Sequence, residues 1–204
     1  VPESVDEFLL PPGKRVEVAV QLAAAGRYTL RNAGYTWGFG ATEAAELATF
    51  VVAGDPAPAA ALPTVGVDHV GRSGLVDAPV DGRRTLTFTI EVDGGAARFL
   101  IDGKEFDHHR VDIQAKLGTV EEWTLVNDSD DDHPFHIHVN DFIVTQVNGK
   151  PVAAPHLQDV VSIPQRGSVV IKQRFADFPG KFVFHCHILG HEDRGMMGLI
   201  EVVP

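Results

Sequence analysis

The chain has 204 residues, enough to bury a substantial core in one large domain, or in one domain and part of another. Its 17 basic and 28 acidic residues give a net charge of −11, which argues against nucleic acid and anionic membrane surfaces as partners. No apolar run reaches the length of a membrane span, and the single cysteine excludes an internal disulfide.

The N-terminus, Val1-Pro2-Glu3-Ser4, has no initiator Met, basic n-region or apolar h-region, so a mature, trimmed or partial chain is expected. Strand-like runs follow at 6–10, 14–21, 26–33 and 47–53, with turns at Pro11-Pro12-Gly13 and Ala25-Gly26. Val16, Val18 and Val20 alternate with polar Arg15 and Glu17, as in a half-buried strand. Residues 1–54 therefore read as part of a β-sandwich. The Ala- and Pro-rich stretch 55–64 reads as a linker.

Residues 65–81 are Gly-punctuated and carry no clear period. Beyond them strands are predicted at 84–93, 97–101, 119–127, 134–139, 142–147, 159–163, 168–175, 180–187 and 198–203, with a short turn over 188–194. With turns at Asp93-Gly94-Gly95, Asn148-Gly149 and Pro179-Gly180, this spacing predicts an antiparallel Greek-key sandwich over 65–204.

The first 68 residues contain no histidine. Two clusters stand out later: His133-Pro134-Phe135-His136-Ile137-His138, and His185-Cys186-His187 followed by His191 and Met196. Alternate strand residues share a face, so His136 projects with His138 and His185 with His187, while Cys186 points the opposite way. Cys186, His191, His133 and a weak axial Met196 make the thiolate, imidazole and thioether set of a blue-copper electron-transfer centre. The other face carries His136, His138, His185 and His187, an imidazole set suited to copper that reduces dioxygen. A structural zinc site or plain core packing would accept some of these residues but does not account for the paired alternation. Met197 reads as core.

The patterns HPxHxH and HCHxxxHxxxxM resemble the C-terminal copper signatures of the multicopper oxidases, the group of laccase, bilirubin oxidase and cuprous oxidase. Ile101-Asp102-Gly103, Phe106-Asp107 and Glu122-Trp123 extend the resemblance over most of 84–204, and Leu10 to Glu17 looks like the later part of the family's middle domain. The resemblance implies cupredoxin-like domains: part of a middle one at 1–54 and a complete copper-binding one at 65–204. It makes His133, Cys186, His191 and Met196 type 1 copper ligands, His136 a type 2 ligand, and His138, His185 and His187 type 3 ligands.

In that family the trinuclear cluster takes eight histidines, four of them from two HxH motifs in an N-terminal domain. This sequence has no such motifs upstream; His69 is its first histidine, and the adjacent His108-His109 would face opposite ways on a strand. The expectation is therefore the C-terminal portion of a three-domain oxidase, with a complete type 1 site and half a trinuclear cluster. Its partners are an N-terminal cupredoxin domain supplying four more histidines, O2 and a small reducing substrate. The resemblance also implies export to the periplasm or out of the cell. A stand-alone blue-copper electron carrier is the alternative; it leaves four histidines without a task. Copper nitrite reductase fits less well, since it has no need of the second histidine in His185-Cys186-His187.

Glu192 follows a type 1 ligand, and dioxygen reduction consumes protons, so Glu192 is the candidate catalytic proton donor. The matching glutamate of the cuprous-oxidase branch has that role. The acidic run 128–132 reads as a solvated loop, with a cation-attracting role beside His133 as the sharper alternative, His133 being the expected point of electron entry. Asp159 matches a family aspartate near the substrate-facing rim, or is a strand-edge acid. His69, His108, His109 and His156 read as surface or hydrogen-bonded histidines, with Asp107-His108-His109 as substrate-side candidates.

Overall fold

The computed structural model describes residues 4–22, 24–55, 57–58, 60–61 and 72–204. The chain forms two compact units, one of residues 1–9 and 15–67, the other of 10–14 and 68–204. His69 lies outside the described residues, as does most of the linker's second half.

In the first unit, β1 (Gly26–Asn32) pairs antiparallel with β4 (Ala45–Val52), and the two-residue strands β2 (Tyr35–Thr36) and β3 (Ala41–Thr42) pair between them. The strands expected at 6–10 and 14–21 do not form. Val16, Val18 and Val20 alternate as a strand should, yet they are exposed and no strand among the described residues offers them a ladder. Alternation marks a face that wants burial; only a hydrogen-bonded partner makes it a strand.

The second unit is a sandwich of two sheets. After the short helix α1 (Arg72–Val76) come β5 (Gly82–Asp93), β6 (Ala96–Ile101), β7 (Ile113–Lys116), β8 (Val120–Asn127), β9 (His133–Ile137) and β10 (Phe142–Val147). Then follow the short β11 (Lys150–Pro151) and β12 (Leu157–Gln158), then β13 (Val160–Ile163), β14 (Ser168–Arg174), β15 (Gly180–Cys186), α2 (Leu189–Glu192) and β16 (Met197–Val203). One sheet has the order β11-β10-β14-β8-β5-β6, with β12 on β10; the other is β13-β9-β15-β16-β7.

The Greek-key sandwich is as the sequence predicts, but it is not purely antiparallel. β5 pairs parallel with β8, and β16 with β7. Between β5 and β8 the chain visits the facing sheet through β7, and that crossover returns it in the same direction. β7 itself, four residues long, was not among the predicted strands. The Asn148-Gly149 hairpin turn holds both residues at positive φ, 50° and 73°, which these residue types tolerate.

Inward faces of both sheets meet in one core that includes Phe88, Trp123, Leu125, Phe135, Phe142, Ile171 and Phe184, all essentially inaccessible. Each such side chain contributes about 1.5–3 kcal/mol by burial. Cys186 and Met196 belong to this same core.

Candidate metal centre

Strand alternation divides the candidate ligands. In β9, His133, Phe135 and Ile137 face the core, while His136 lies on the other side, followed by His138. In the antiparallel pairing of β15 with β9, His185 lies opposite His136 and Cys186 opposite Phe135. Cys186 thus points into the sandwich and its flanking histidines point out of it.

The core-side group is His133, Cys186 and His191. The Cys186 Sγ lies 3.7 Å from Nδ1 of His133 and 3.7 Å from Nδ1 of His191. Edges of that length fit around an ion held at about 2.0–2.3 Å from nitrogen and sulfur. Met196 is fully buried; its carbonyl accepts from the Cys186 N–H at 3.0 Å, and its own N–H donates to the His191 carbonyl at 3.0 Å. Met197 instead pairs opposite His185 in β16 and is partly buried. The helix α2, one turn long, brings His191 back over Cys186: the His191 N–H donates to the Ile188 carbonyl at 2.8 Å.

Burial dominates the electrostatics here. It lowers the His133 imidazole to about 3 and His191 to about 4, the latter aided by the Arg194 charge, and pushes the Cys186 thiol up to about 12. Two neutral imidazoles and a thiol that must lose its proton are a soft donor set, suited to copper and costly for the thiolate without a cation.

The second group lies on the outer face of the β13-β9-β15-β16-β7 sheet. The rings of His136, His138, His185 and His187 lie with centroids 4.9–5.7 Å apart for the five pairs in contact. His136, His138 and His185 present ligand atoms to one another within 4.8 Å. Burial lowers all three of these imidazoles, so they are held neutral and able to bind a metal. His136 Nδ1 meets the Asp159 carbonyl at 2.7 Å, and His185 Nδ1 meets the Cys186 carbonyl at 3.1 Å and Glu192 Oε2 at 3.2 Å. Glu192 therefore stands on the imidazole side, while the preceding residue, His191, serves the thiolate side.

A turn 120 or more residues upstream completes this face. Gly13 adopts φ +79°, and a Cβ there would come within 2.3 Å of the His187 ring. Only a glycine gives both that conformation and that approach. Lys14 Nζ, next in the chain, donates to the Gln158 side chain and to the Val160 carbonyl, flanking Asp159. Desolvation lowers its pKa against the opposing Asp159 charge.

Several sequence expectations are corrected. The acidic run is only half solvated: Asp128 and Asp130 pair with Arg166, but Ser129, Asp131 and Asp132 are buried. Its two outer carboxylates share the single Arg166 guanidinium. His133 is fully buried and its Nε2 meets the Ser129 hydroxyl at 2.7 Å, so its edge does not reach solvent; His191, stacked on Phe99 at 4.5 Å, retains a small exposure. Asp159 sits beside His136, with its carboxylate 4.0 Å from Nδ1. His108 and His109 occupy a turn, not a strand, and their rings lie 3.7 Å apart; they and exposed His156 belong to neither ligand group.

Sequence reasoning missed the polar support behind the thiolate group. His191 Nε2 lies 3.5 Å from the buried Asp131 carboxylate, and Ser129 and Asp131 are both bonded to Asn127 at the end of β8. The available signal was position: Asn127 continues the inward series Trp123, Leu125, where a polar residue must find partners.

The profile of the family described as "Multicopper oxidase" matches residues 78–204. The chain is 39% identical over 119 residues to the multicopper oxidase mco of Staphylococcus aureus, covering 55% of this chain and 26% of that protein. It is 30% identical over 203 residues to a laccase of Haloferax volcanii, covering 95% of this chain and 34% of that protein. Among solved structures it is similar to a multicopper oxidase from Campylobacter jejuni titled a metallo-oxidase, with a TM-score of 0.68, 26% identity and coverage of 87% and 41%. The chain thus spans about a quarter to a third of the length of these curated relatives.

Proposed function

The chain belongs to the multicopper oxidase family, and from that premise we propose that it is the C-terminal part of an oxidase that couples one-electron oxidation of a small reducing substrate to reduction of O2. In this reading residues 65–204 are the copper-binding cupredoxin domain and 1–54 part of the middle one. His133, Cys186, His191 and Met196 would hold type 1 copper. His136 is the type 2 ligand, and His138, His185 and His187 are type 3 ligands. The other four histidines come from an N-terminal cupredoxin domain. Copper, when bound, supplies one-electron redox chemistry at the first site and dioxygen reduction at the second, four electrons and four protons giving two waters.

The single observation that carries the reading is the division of one tripeptide. Cys186 faces His133 and His191, while His185 and His187 on either side of it face the four-imidazole group. The peptide backbone is then the shortest covalent path between the two sites. His191, the ligand with residual exposure, is the edge through which electrons enter. Phe99 holds that ring, and the Arg194 guanidinium lies 4.2 Å from the Phe99 centroid. Glu192 is the proton donor, its carboxylate bridging from solvent to His185.

Copper stoichiometry tests this against an electron carrier. The isolated chain is expected to take up type 1 copper, to show no sustained oxygen consumption with a phenolic dye, and to bind further copper in the presence of the N-terminal domain. One copper per chain under both conditions favours the carrier. Sustained turnover by the isolated chain contradicts the half-cluster.

A further inference from the structure

The side chain of Asn127 sits behind the thiolate site without touching it. Its Nδ2 donates to the Asp131 carbonyl at 2.7 Å and the Ile163 carbonyl at 3.2 Å. Its Oδ1 accepts from the Ser129 N–H at 3.0 Å and lies 2.7 Å from Ser129 Oγ. A backbone N–H can only donate and a carbonyl can only accept, so the orientation of this amide is determined by its neighbours.

That orientation has a consequence two bonds further on. Ser129 Oγ lies 2.7 Å from Asn127 Oδ1 and 2.7 Å from His133 Nε2. Two oxygens at that separation need a proton between them, and the hydroxyl has the only one. The hydroxyl hydrogen therefore points at Asn127, with the Asp131 carbonyl a longer second acceptor at 3.3 Å, and its lone pair faces the imidazole. His133 must then carry its proton on Nε2 and leave Nδ1 bare towards Cys186. At His191 the Asp131 carboxylate, 3.5 Å from Nε2, favours a proton on the same nitrogen.

We propose that Asn127 is a positioning residue for the metal centre: through Ser129 it holds His133 as the Nε2–H tautomer, with Nδ1 free to bind. Its relevance to copper rests on the reading given above, but the tautomer itself does not. The same residue ties Asp131 to Ser129 through the Asp131 carbonyl, so one amide organises the supports of both imidazoles. Partners of this kind outside the ligand set usually alter metal affinity about 10–100-fold when removed.

The test uses the whole chain, first free of metal at neutral pH. Long-range nitrogen–proton NMR correlations should show His133 and His191 with the proton on Nε2. Asn127→Leu removes the acceptor, frees the Ser129 hydroxyl to donate to His133, and should move the His133 proton to Nδ1. Ser129→Ala, a smaller deletion, should lower copper affinity about 10–100-fold, and Ser129→Thr should restore it. A wild-type His133 protonated on Nδ1 would overturn the proposal. So would unchanged copper affinity in Ser129→Ala, or a Thr variant no better than Ala. Wild-type His133 in the Nε2–H form, with copper uptake no greater than that of Cys186→Ser, would sink the copper reading and leave the tautomer assignment standing.

Discussion

The two histidine groups are separated by the thickness of one sheet, yet they are built differently. His133, Cys186 and His191 are buried, collected on three chain segments, and each imidazole has its second nitrogen engaged by a buried side chain. His136, His138, His185 and His187 form a ring on an outer face where His138 is exposed and His187 is only partly covered. The first group is enclosed in a core; the second is an open surface, supported by backbone carbonyls, the Glu192 and Asp159 carboxylates and the Gly13 turn. A ligand set needs rigidity to fix its geometry, and here one sheet gives that rigidity to one face more fully than to the other.

The largest expected effect separates the two groups outright. With the N-terminal domain present, Cys186→Ser should abolish the intense visible absorption of a copper–thiolate centre while leaving copper bound to the imidazole face, measured by absorbance against total copper. Loss of both together would show that the groups are not independent.

Acid should distinguish them next. The fold holds His133 near 3 and His191 near 4, against 6.5 for an unperturbed imidazole, so the unfolded chain binds more protons below 6.5 and stability falls with pH there. The metal-free chain is expected to lose about 1.5 kcal/mol for each of these imidazoles between pH 6.5 and 5. Urea midpoints check this, and His133→Gln should flatten the slope. An unchanged slope would mean that the core-side group is more open to water than its burial indicates.

The smallest effect belongs to the open face. Gly13→Ala should destabilise by about 1–3 kcal/mol, combining strain at φ +79° with displacement of the His187 ring. Copper on the imidazole face should weaken, while thiolate absorption at Cys186 stays as in the parent chain. A variant that alters the thiolate band instead would show that the turn supports the wrong site.

Much of this was legible in the sequence because it follows from a period of two. The split of Cys186 from His185 and His187 needs only the alternation of a strand, and β10 at 142–147 was delimited by its own apolar run and the turn after it. The alternation of Val16, Val18 and Val20 was equally clear and misled, since pairing is a property of neighbours and no strand among the described residues pairs with them. The acidic run was misread for a similar reason. Asp128 and Asp131 have the same side chain, and only their places in the fold put one on Arg166 and the other behind His191.

By itself, then, the sequence determined the sandwich class, the two groups of candidate ligands and which side of their strands they occupy. All of these are written in residue type and spacing along a single strand. Only the tertiary structure decided the parallel pairings, the meeting of Gly13 with His187, and the arrangement of Asn127, Ser129 and Asp131 behind the imidazoles. Those depend on distances between segments far apart in the chain and on burial, which turns an ordinary polar side chain into one that must be satisfied and so fixes where its protons lie.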